Sequence, residues 1–152
     1  GEPIGRNELV NPLVNYCQPA FRRLGVKTRM AISLGSHNPV EPLHMTAILG
    51  NLLRNAAEAL SRMPDGKERR LRLALQQIGG TVVIVVDNTF DGCLKQDEEQ
   101  NYLSIKRGFA QRGVGLDSIR SSVEQCGGTF TVQVLGQNFE SSVVLPLQAG
   151  LE

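Results

Sequence analysis

The sequence has 152 residues, of which 41% are hydrophobic and 20% are charged, so we expect one folded domain with a substantial core and exclude a disordered chain. The 16 basic and 15 acidic residues leave a net charge of +1 without a long basic run, which gives no electrostatic footprint for nucleic acid. The longest strongly apolar run, residues 82–86, is too short to span a bilayer, and the N-terminus lacks a secretory signal, so a cytoplasmic domain is expected.

The first half of the chain predicts a helix, a strand and a longer helix. Apolar residues recur at helical spacing over residues 9–24, where Pro19 is expected to kink the helix or to remove one hydrogen bond. Residues 26–34 alternate like a half-buried strand. Residues 45–63 place apolar side chains over about half of a helix circumference, counted at about 100° per residue. This longer helix is expected to face the core, with Pro42 near its first turn.

Polar residues of the longer helix form a narrow stripe beside its apolar arc. The stripe consists of Asn51, Asn55, Glu58 and Arg62. A stripe in that position lines a cleft more naturally than it faces open water. The alternative is a set of solvated residues on the helix surface.

The second half of the chain predicts a hairpin followed by a long connection. Residues 71–78 and 81–88 are predicted strands joined by a glycine pair, and the apolar run of the second suits a central, covered strand. That strand ends on Asp87 and Asn88, at an edge where ligand pockets are common. Residues 89–112 have no sustained apolar period and are predicted to form a mobile lid.

The chain is expected to end with a helix and a second hairpin. Residues 117–126 share a helical apolar face, and residues 129–135 and 139–147 are predicted strands joined by a tight turn. The order of elements predicts the α+β class. We expect a two-layer sandwich in which a mixed, mainly antiparallel sheet carries three helices on one face.

The cysteines indicate neither a disulfide framework nor a zinc site. Cys17, Cys93 and Cys126 form no C-x-x-C pair and leave an odd residue over. We therefore expect reduced cysteines that contribute to packing.

Two polar side chains offer the chemistry of a nucleotide site. Asn55 has an amide oxygen suited to a hard cation that already carries phosphate and water ligands, and Mg²⁺ fits this role. Asp87 has a carboxylate suited to accept a hydrogen bond from an exocyclic amine such as that of adenine. The alternative for Asp87 is an ordinary turn-forming aspartate.

A glycine loop before the last helix is the third feature of such a site. Gly113 and Gly115 would let the backbone approach a ligand, and the first turn of a helix attracts phosphate. Cations and a hydroxyl that could hold a polyphosphate lie at or before the loop, namely Ser104, Lys106, Arg107 and Arg112. The alternative is an ordinary glycine loop with solvated cations.

Three motifs in this order resemble those of a known family. NLLRNAAEAL resembles the N box, VVDNTFDG the first glycine box and RGVGLDSIRSSVEQCGGTFTV the second glycine box of the GHKL, or Bergerat-fold, ATP-binding domains. The sequence is most similar to the catalytic domains of sensor histidine kinases, in the branch of peptide quorum-sensing and citrate-type sensors. The resemblance covers about residues 9–147.

The resemblance implies roles for the candidate site residues. Asn55 would ligate magnesium, Asn51 would lie near the phosphates, and Asp87 would bind the adenine amine. The first glycine box departs from the usual D-x-G-x-G pattern, so Asn88 is an alternative for the adenine contact. The remaining residues implied in cofactor binding are Glu58, Ser104, Lys106, Arg107, Arg112, Gly113, Gly115 and Leu116.

The resemblance also implies a kinase rather than an ATPase. ATP-hydrolysing relatives carry a glutamate general base at the place of Asn51, and an amide cannot take a proton from water. His37 and His44 lack the sequence setting of a phosphoacceptor histidine, so both are expected to be bystanders. The chain would position Mg-ATP for a histidine on a separate segment.

The implied protein is larger than this domain. The chain would be a monomeric fragment of a membrane-anchored homodimeric receptor, with dimerisation and phosphoacceptor helices elsewhere and a response regulator downstream. Two alternatives stay open: a GHKL docking module with weak or no nucleotide binding, and a serine kinase of the anti-sigma type.

Overall fold

The computed structural model describes residues 10–34, 40–92 and 116–147. Within these ranges the chain forms three helices and five strands. The helices are α1 (Val10–Arg23), α2 (Pro42–Ser61) and α3 (Leu116–Gln125). The strands are β1 (Lys27–Ser33), β2 (Arg70–Ile78), β3 (Thr81–Thr89), β4 (Thr129–Leu135) and β5 (Asn138–Pro146).

The strands form one sheet in the order β1-β2-β3-β5-β4. β1 and β2 are parallel, because the long connection through α2 lies between them, whereas the other three pairs are antiparallel. Strand β3 is central. The predicted mixed, mainly antiparallel α+β architecture is confirmed.

The core lies between the helices and one face of the sheet. Alternate residues of β3, namely Val82, Ile84 and Val86, are almost fully buried, as the two-residue period of a strand requires. Helix α2 packs on β3 and lies against both α1 and α3. Its buried residues are Met45, Ile48, Leu49, Leu52, Leu53, Ala56 and Leu60. No described helix is long and apolar enough to cross a membrane.

Helix α2 begins three residues before its predicted start. Pro42 occupies its first turn, where a missing N–H costs little, and the Glu41 carboxylate accepts a hydrogen bond from the Leu43 N–H at 3.4 Å. At the other end, the Arg69 guanidinium donates to the carbonyl oxygens of Leu60 at 2.8 Å and Met63 at 2.7 Å. These bonds add a donor to the Leu60 carbonyl, which also accepts from the Met63 N–H at 3.3 Å, and to the Met63 carbonyl beyond the end of the helix.

Helix α1 continues through Pro19, which has no backbone N–H, so the helix lacks one hydrogen bond there, as predicted. One other element differs from the prediction. Strand β3 runs to Thr89, one residue into the predicted lid, because the Thr89 hydroxyl accepts from the Arg70 N–H at 3.0 Å and lies 3.4 Å from the Met63 sulfur. Most of the predicted lid lies outside the described residues.

Candidate nucleotide site

A pocket opens between α2 and the covered face of the sheet, beside the start of α3. Its lining is mainly apolar, with two amides, one hydroxyl and one guanidinium among the described residues. This composition is typical of small-molecule sites, where a few polar groups orient a ligand among apolar walls. The pocket is lined by Leu52, Asn55, Ala56, Ala59, Arg62, Asn88, Phe90, Leu116, Phe139 and Ser141.

Helical spacing explains why the polar stripe of α2 divides between two surfaces. We take the direction of Asn51 around the helix axis as the reference. Asn55 is then rotated by about 40° and Arg62 by about 20° toward the sheet. Glu58 is rotated by about 20° away from the sheet. Asn55 and Arg62 accordingly line the pocket. The interpretation of the whole stripe as the wall of one cleft is therefore wrong for Asn51 and Glu58.

Asn51 and Glu58 face away from the pocket. Asn51 lies in a groove between α1 and α2, where its side-chain oxygen accepts a hydrogen bond from the Arg54 guanidinium. Glu58 is exposed on the surface of α2. The structure thus does not bring either side chain to the wall that carries Asn55.

Asn88 is the polar residue that β3 contributes to the pocket. It is only 4% exposed, and its Nδ2 donates to the Thr89 carbonyl oxygen at 3.0 Å. Because the amide nitrogen is committed to a carbonyl, the Oδ1 atom remains as a hydrogen-bond acceptor. This acceptor is what an exocyclic amine of a ligand requires.

Asp87 lies on the opposite, open face of the sheet. Its carboxylate is 3.8 Å from Nη2 of Arg72, which is also 3.8 Å from the carboxylate of Glu140. Successive residues of a strand point to opposite faces, so Asp87 and Asn88 cannot both face α2. The structure corrects the expectation that Asp87 shares a cleft with Asn55, and Asn88 takes that place.

Three pocket residues outside α2 were not identified as site residues from the sequence. The rings of Phe90 and Phe139 meet edge to face with centroids 6.1 Å apart, and both line the pocket. Ser141 is a buried hydroxyl on β5. Two signals could have found them: Phe90 follows Asn88 by two residues, and Ser141 interrupts the apolar alternation that leads to Val143.

The pocket is small and carries no negative charge among its described residues. Its volume is about 30 Å³, enough for only one or two water molecules. A bound nucleotide therefore requires movement of at least one wall.

Two cysteines outside the pocket have shifted pKa values. Burial raises the pKa of the Cys17 thiol, and burial and the nearby Glu41 charge raise the pKa of the Cys126 thiol.

The donor set fits a magnesium ion that arrives with a ligand rather than a resident metal. The described residues contain no group of three histidine, cysteine, aspartate or glutamate side chains able to hold a metal. Asn55 offers a single amide oxygen. Mg²⁺ commonly takes one or two protein ligands and completes its shell with water and substrate phosphates, so Asn55 fits this role.

Of the remaining predicted residues, Leu116 lies in the pocket, His44 lies at the start of α2, and the others lie outside the described residues. Leu116 lines the pocket as the first residue of α3 and is 3% exposed. His44 lies in the first turn of α2, with Nε2 3.5 Å from a carboxylate oxygen of Glu41. Outside the described ranges lie Ser104, Lys106, Arg107, Arg112, Gly113, Gly115 and His37.

Known structures share this arrangement of helices and strands. The catalytic domain of the histidine kinase ThkA aligns over 92% of this chain and 90% of its own, with a TM-score of 0.68 and 16% identity. The mycobacterial sensor histidine kinase MprB aligns over 91% of this chain and 95% of its own, with a TM-score of 0.61 and 19% identity.

A third similar structure is the histidine kinase AdeS of Acinetobacter baumannii. It aligns over 92% of this chain and 64% of its own, with a TM-score of 0.66 and 11% identity. No protein with a curated description matches the sequence. Residues 40–146, however, match the GHKL domain family. The chain therefore belongs to the GHKL domain family and has the fold of a histidine kinase catalytic domain.

Proposed function

We propose that this domain binds Mg-ATP in the pocket between α2 and β3 and transfers the γ-phosphoryl group to a histidine on a separate segment. The observation that carries the proposal is the meeting of Asn55 and Asn88 in one mainly apolar pocket of a GHKL domain. In this proposal one amide would ligate a metal and the other would contact a base. Either residue alone would be unremarkable.

Asn55 and Asn88 have complementary roles in this proposal. The Asn55 amide oxygen ligates the magnesium ion that the phosphates carry. Asn88 accepts a hydrogen bond from the adenine amine through Oδ1, because its Nδ2 is held by the Thr89 carbonyl oxygen at 3.0 Å. The rings of Phe90 and Phe139 provide apolar walls for the base.

The phosphates would extend from Asn55 toward the segment between β3 and α3. In this proposal Ser104, Lys106, Arg107 and Arg112 would supply hydrogen-bond donors, and Gly113 and Gly115 would allow close approach of the backbone. Asn51 lies one turn before Asn55, but its side chain faces the groove between α1 and α2 and is not part of the proposed site. Asp87 and Glu58 are not part of the proposed site.

Phosphoryl transfer to a side chain suits these groups better than hydrolysis. The described residues that line the pocket include no carboxylate that could activate water, and the place of the general base in hydrolytic relatives is Asn51. Catalysis would consist of positioning and charge neutralisation. The acceptor histidine would come from dimerisation helices of a membrane-anchored homodimer whose phosphoryl group passes to a response regulator, with this domain on the cytoplasmic side.

A docking module with weak nucleotide binding is the second candidate. The volume of about 30 Å³ favours it, because the pocket in this conformation cannot hold a base. The two functions differ in one observable, the magnesium dependence of nucleotide affinity.

The test is calorimetric titration of the domain with a non-hydrolysable ATP analogue, with and without magnesium. The wild type is expected to bind in a magnesium-dependent way. Asn88→Ala is expected to weaken binding by about 10- to 100-fold, since a good hydrogen bond to a polar ligand group contributes about 1–3 kcal/mol. Asn55→Ala is expected to remove most of the magnesium dependence.

Asp87→Asn is the matched control, because it changes the adjacent residue on the opposite face of the sheet. It is expected to leave affinity within about twofold. A loss in Asp87→Asn without a loss in Asn88→Ala would reverse the assignment. No binding by the wild type at millimolar nucleotide would favour the docking module. Labelled phosphate on a histidine of an added phosphoacceptor helix pair would support the kinase, and transfer to a serine protein would contradict it.

A further inference from the structure

Arg62 is the one charged side chain among the described residues that line the pocket. It is half-buried and follows directly after the last residue of α2, as the C-cap. The motifs that identify the family do not include it. Its presence in a pocket assigned to a nucleotide therefore requires an explanation of its own.

The position of Arg62 along α2 separates it from the phosphates. Arg62 follows Asn55 by seven positions, which corresponds to about 10 Å along the helix axis at about 1.5 Å per residue. If Asn55 holds the metal and the phosphates, Arg62 lies at the far end, where the base is expected. A contact with the phosphates would not account for a cation at that end.

The walls around Arg62 consist of small or flat side chains. Ala56 and Ala59 present small side chains on the same side of α2, and Phe90 contributes a ring. The present volume of about 30 Å³ means that a base must displace part of the wall. Arg62 has the longest side chain of that wall, so its rotamers allow a shift that the packed apolar residues resist.

A guanidinium is well suited to the face of a base. It is planar, weakly hydrated and stacks on aromatic rings, whereas an ammonium is compact and strongly hydrated. Asn88 would read the edge of the base through its Oδ1 atom. Edge and face would then be contacted by two different residues, one from β3 and one from the end of α2.

We propose that the Arg62 guanidinium packs on the face of the nucleotide base and is a binding determinant of this pocket. The inference rests on the proposed function, since it requires that a nucleotide occupies the pocket. It predicts that Arg62 contributes to the affinity for the nucleoside part alone. A simple charge attraction to phosphate predicts a contribution only to phosphorylated ligands.

The experiment compares ATP and adenosine as ligands of the wild-type domain, Arg62→Ala and Arg62→Lys. Arg62→Ala is expected to weaken binding of both ligands by about five- to tenfold, the size expected for a partly desolvated cation–π contact. Arg62→Lys is expected to recover at most a small part of the loss, because the planar group is absent. Thermal unfolding of each variant verifies that the domain is folded.

Arg29→Ala serves as the control, because it removes the same side chain and charge from the opposite face of the sheet. It is expected to leave both affinities unchanged. A loss limited to ATP, full recovery by Arg62→Lys, or no loss in folded Arg62→Ala would each overturn the inference. These outcomes differ from failure of the proposed function, in which the wild-type domain itself binds neither ATP nor adenosine.

Discussion

The two faces of the sheet treat neighbouring polar residues in opposite ways. On the covered face, Asn88 is 4% exposed and takes part in an apolar pocket. One residue earlier, Asp87 lies on the open face beside Arg72. Asn88 is thus held in position by a hydrogen bond, whereas Asp87 is neutralised by a nearby charge.

The open face carries a row of charges that crosses four strands. Arg29 on β1 is in register with Arg72 on β2, then with Asp87 on β3 and Glu140 on β5. The ion pairs of Arg72 are both 3.8 Å long and partly exposed. Pairs of this kind contribute little to stability, about 0–1 kcal/mol each. The stability of the domain is therefore expected to come from the covered face.

The largest expected effect is the loss of a core side chain on the covered face. Ile84→Ala removes a fully buried side chain from β3 and is expected to lower the free energy of unfolding by about 2–5 kcal/mol. Val85→Ala, its neighbour on the open face, is expected to cost about 1 kcal/mol or less. Urea unfolding measures both variants. Equal losses would mean that the open face is covered in solution.

The sequence was sufficient for the elements of the covered face. Turn residues and periodicity predicted the three helices and five strands of the described residues within a few positions, because amphipathic patterns report which side of an element is buried. The glycine pair after β2 predicted the hairpin, and Gly79 has the positive φ of 57° that such a turn favours.

The sequence of β3 alone could not tell which of its faces is covered. Residues 82–86 are apolar at every position, so the pattern does not show which alternate residues face the core. The hairpin contains the missing information: Ile78 pairs with Thr81, and the same register aligns Leu71 with Asn88. Paired residues share a face, so the buried Leu71 assigns Asn88 to the core side.

Arg69, beside the helices, and Arg72, on the open face of the sheet, have different kinds of partner. The Arg69 guanidinium donates to carbonyl oxygens of Leu60, Met63 and, at 3.3 Å, Leu24, so it joins the ends of α1 and α2. Arg69→Ala removes these three hydrogen bonds to partly buried carbonyls and is expected to cost about 2–4 kcal/mol. Arg72→Ala is expected to cost less than about 1 kcal/mol. Thermal and urea unfolding of the two variants would contradict the comparison if Arg72→Ala were the more damaging.

A glycine next to the core is expected to be less tolerant than one in an exposed turn. A Cβ on Gly128 would collide with the Val144 carbonyl oxygen and would lie 2.9 Å from a methyl carbon of Leu145. Gly128→Ala is therefore expected to cost about 1–3 kcal/mol. Gly80→Ala, which meets no atom within 4 Å and has no positive φ, is expected to change stability by less than about 0.5 kcal/mol. Similar midpoints for both variants would show that β5 shifts freely.

The smallest expected effect concerns Glu68, an exposed carboxylate shortly before β2. A hydrogen bond from Lys27 at 2.8 Å, the charge of Lys27 and that of Arg70 hold the pKa of Glu68 below its ordinary value of 4.5. Because the folded-state pKa is the lower one, the stabilisation is present above the unfolded-state pKa and is lost as pH falls through the folded-state pKa. Glu68→Gln removes this ionisation.

Glu68→Gln is expected to be slightly less stable than the wild type near neutral pH and equal to it in acid, below the folded-state pKa of Glu68. Unfolding midpoints measured across the acid range give the difference directly. High salt screens an exposed ion pair, so about 0.5 M NaCl should shrink the neutral-pH difference. A difference that persists unchanged in both acid and salt would show that Glu68 contributes by packing rather than by charge. Packing would then stabilise this exposed region as it stabilises the covered face.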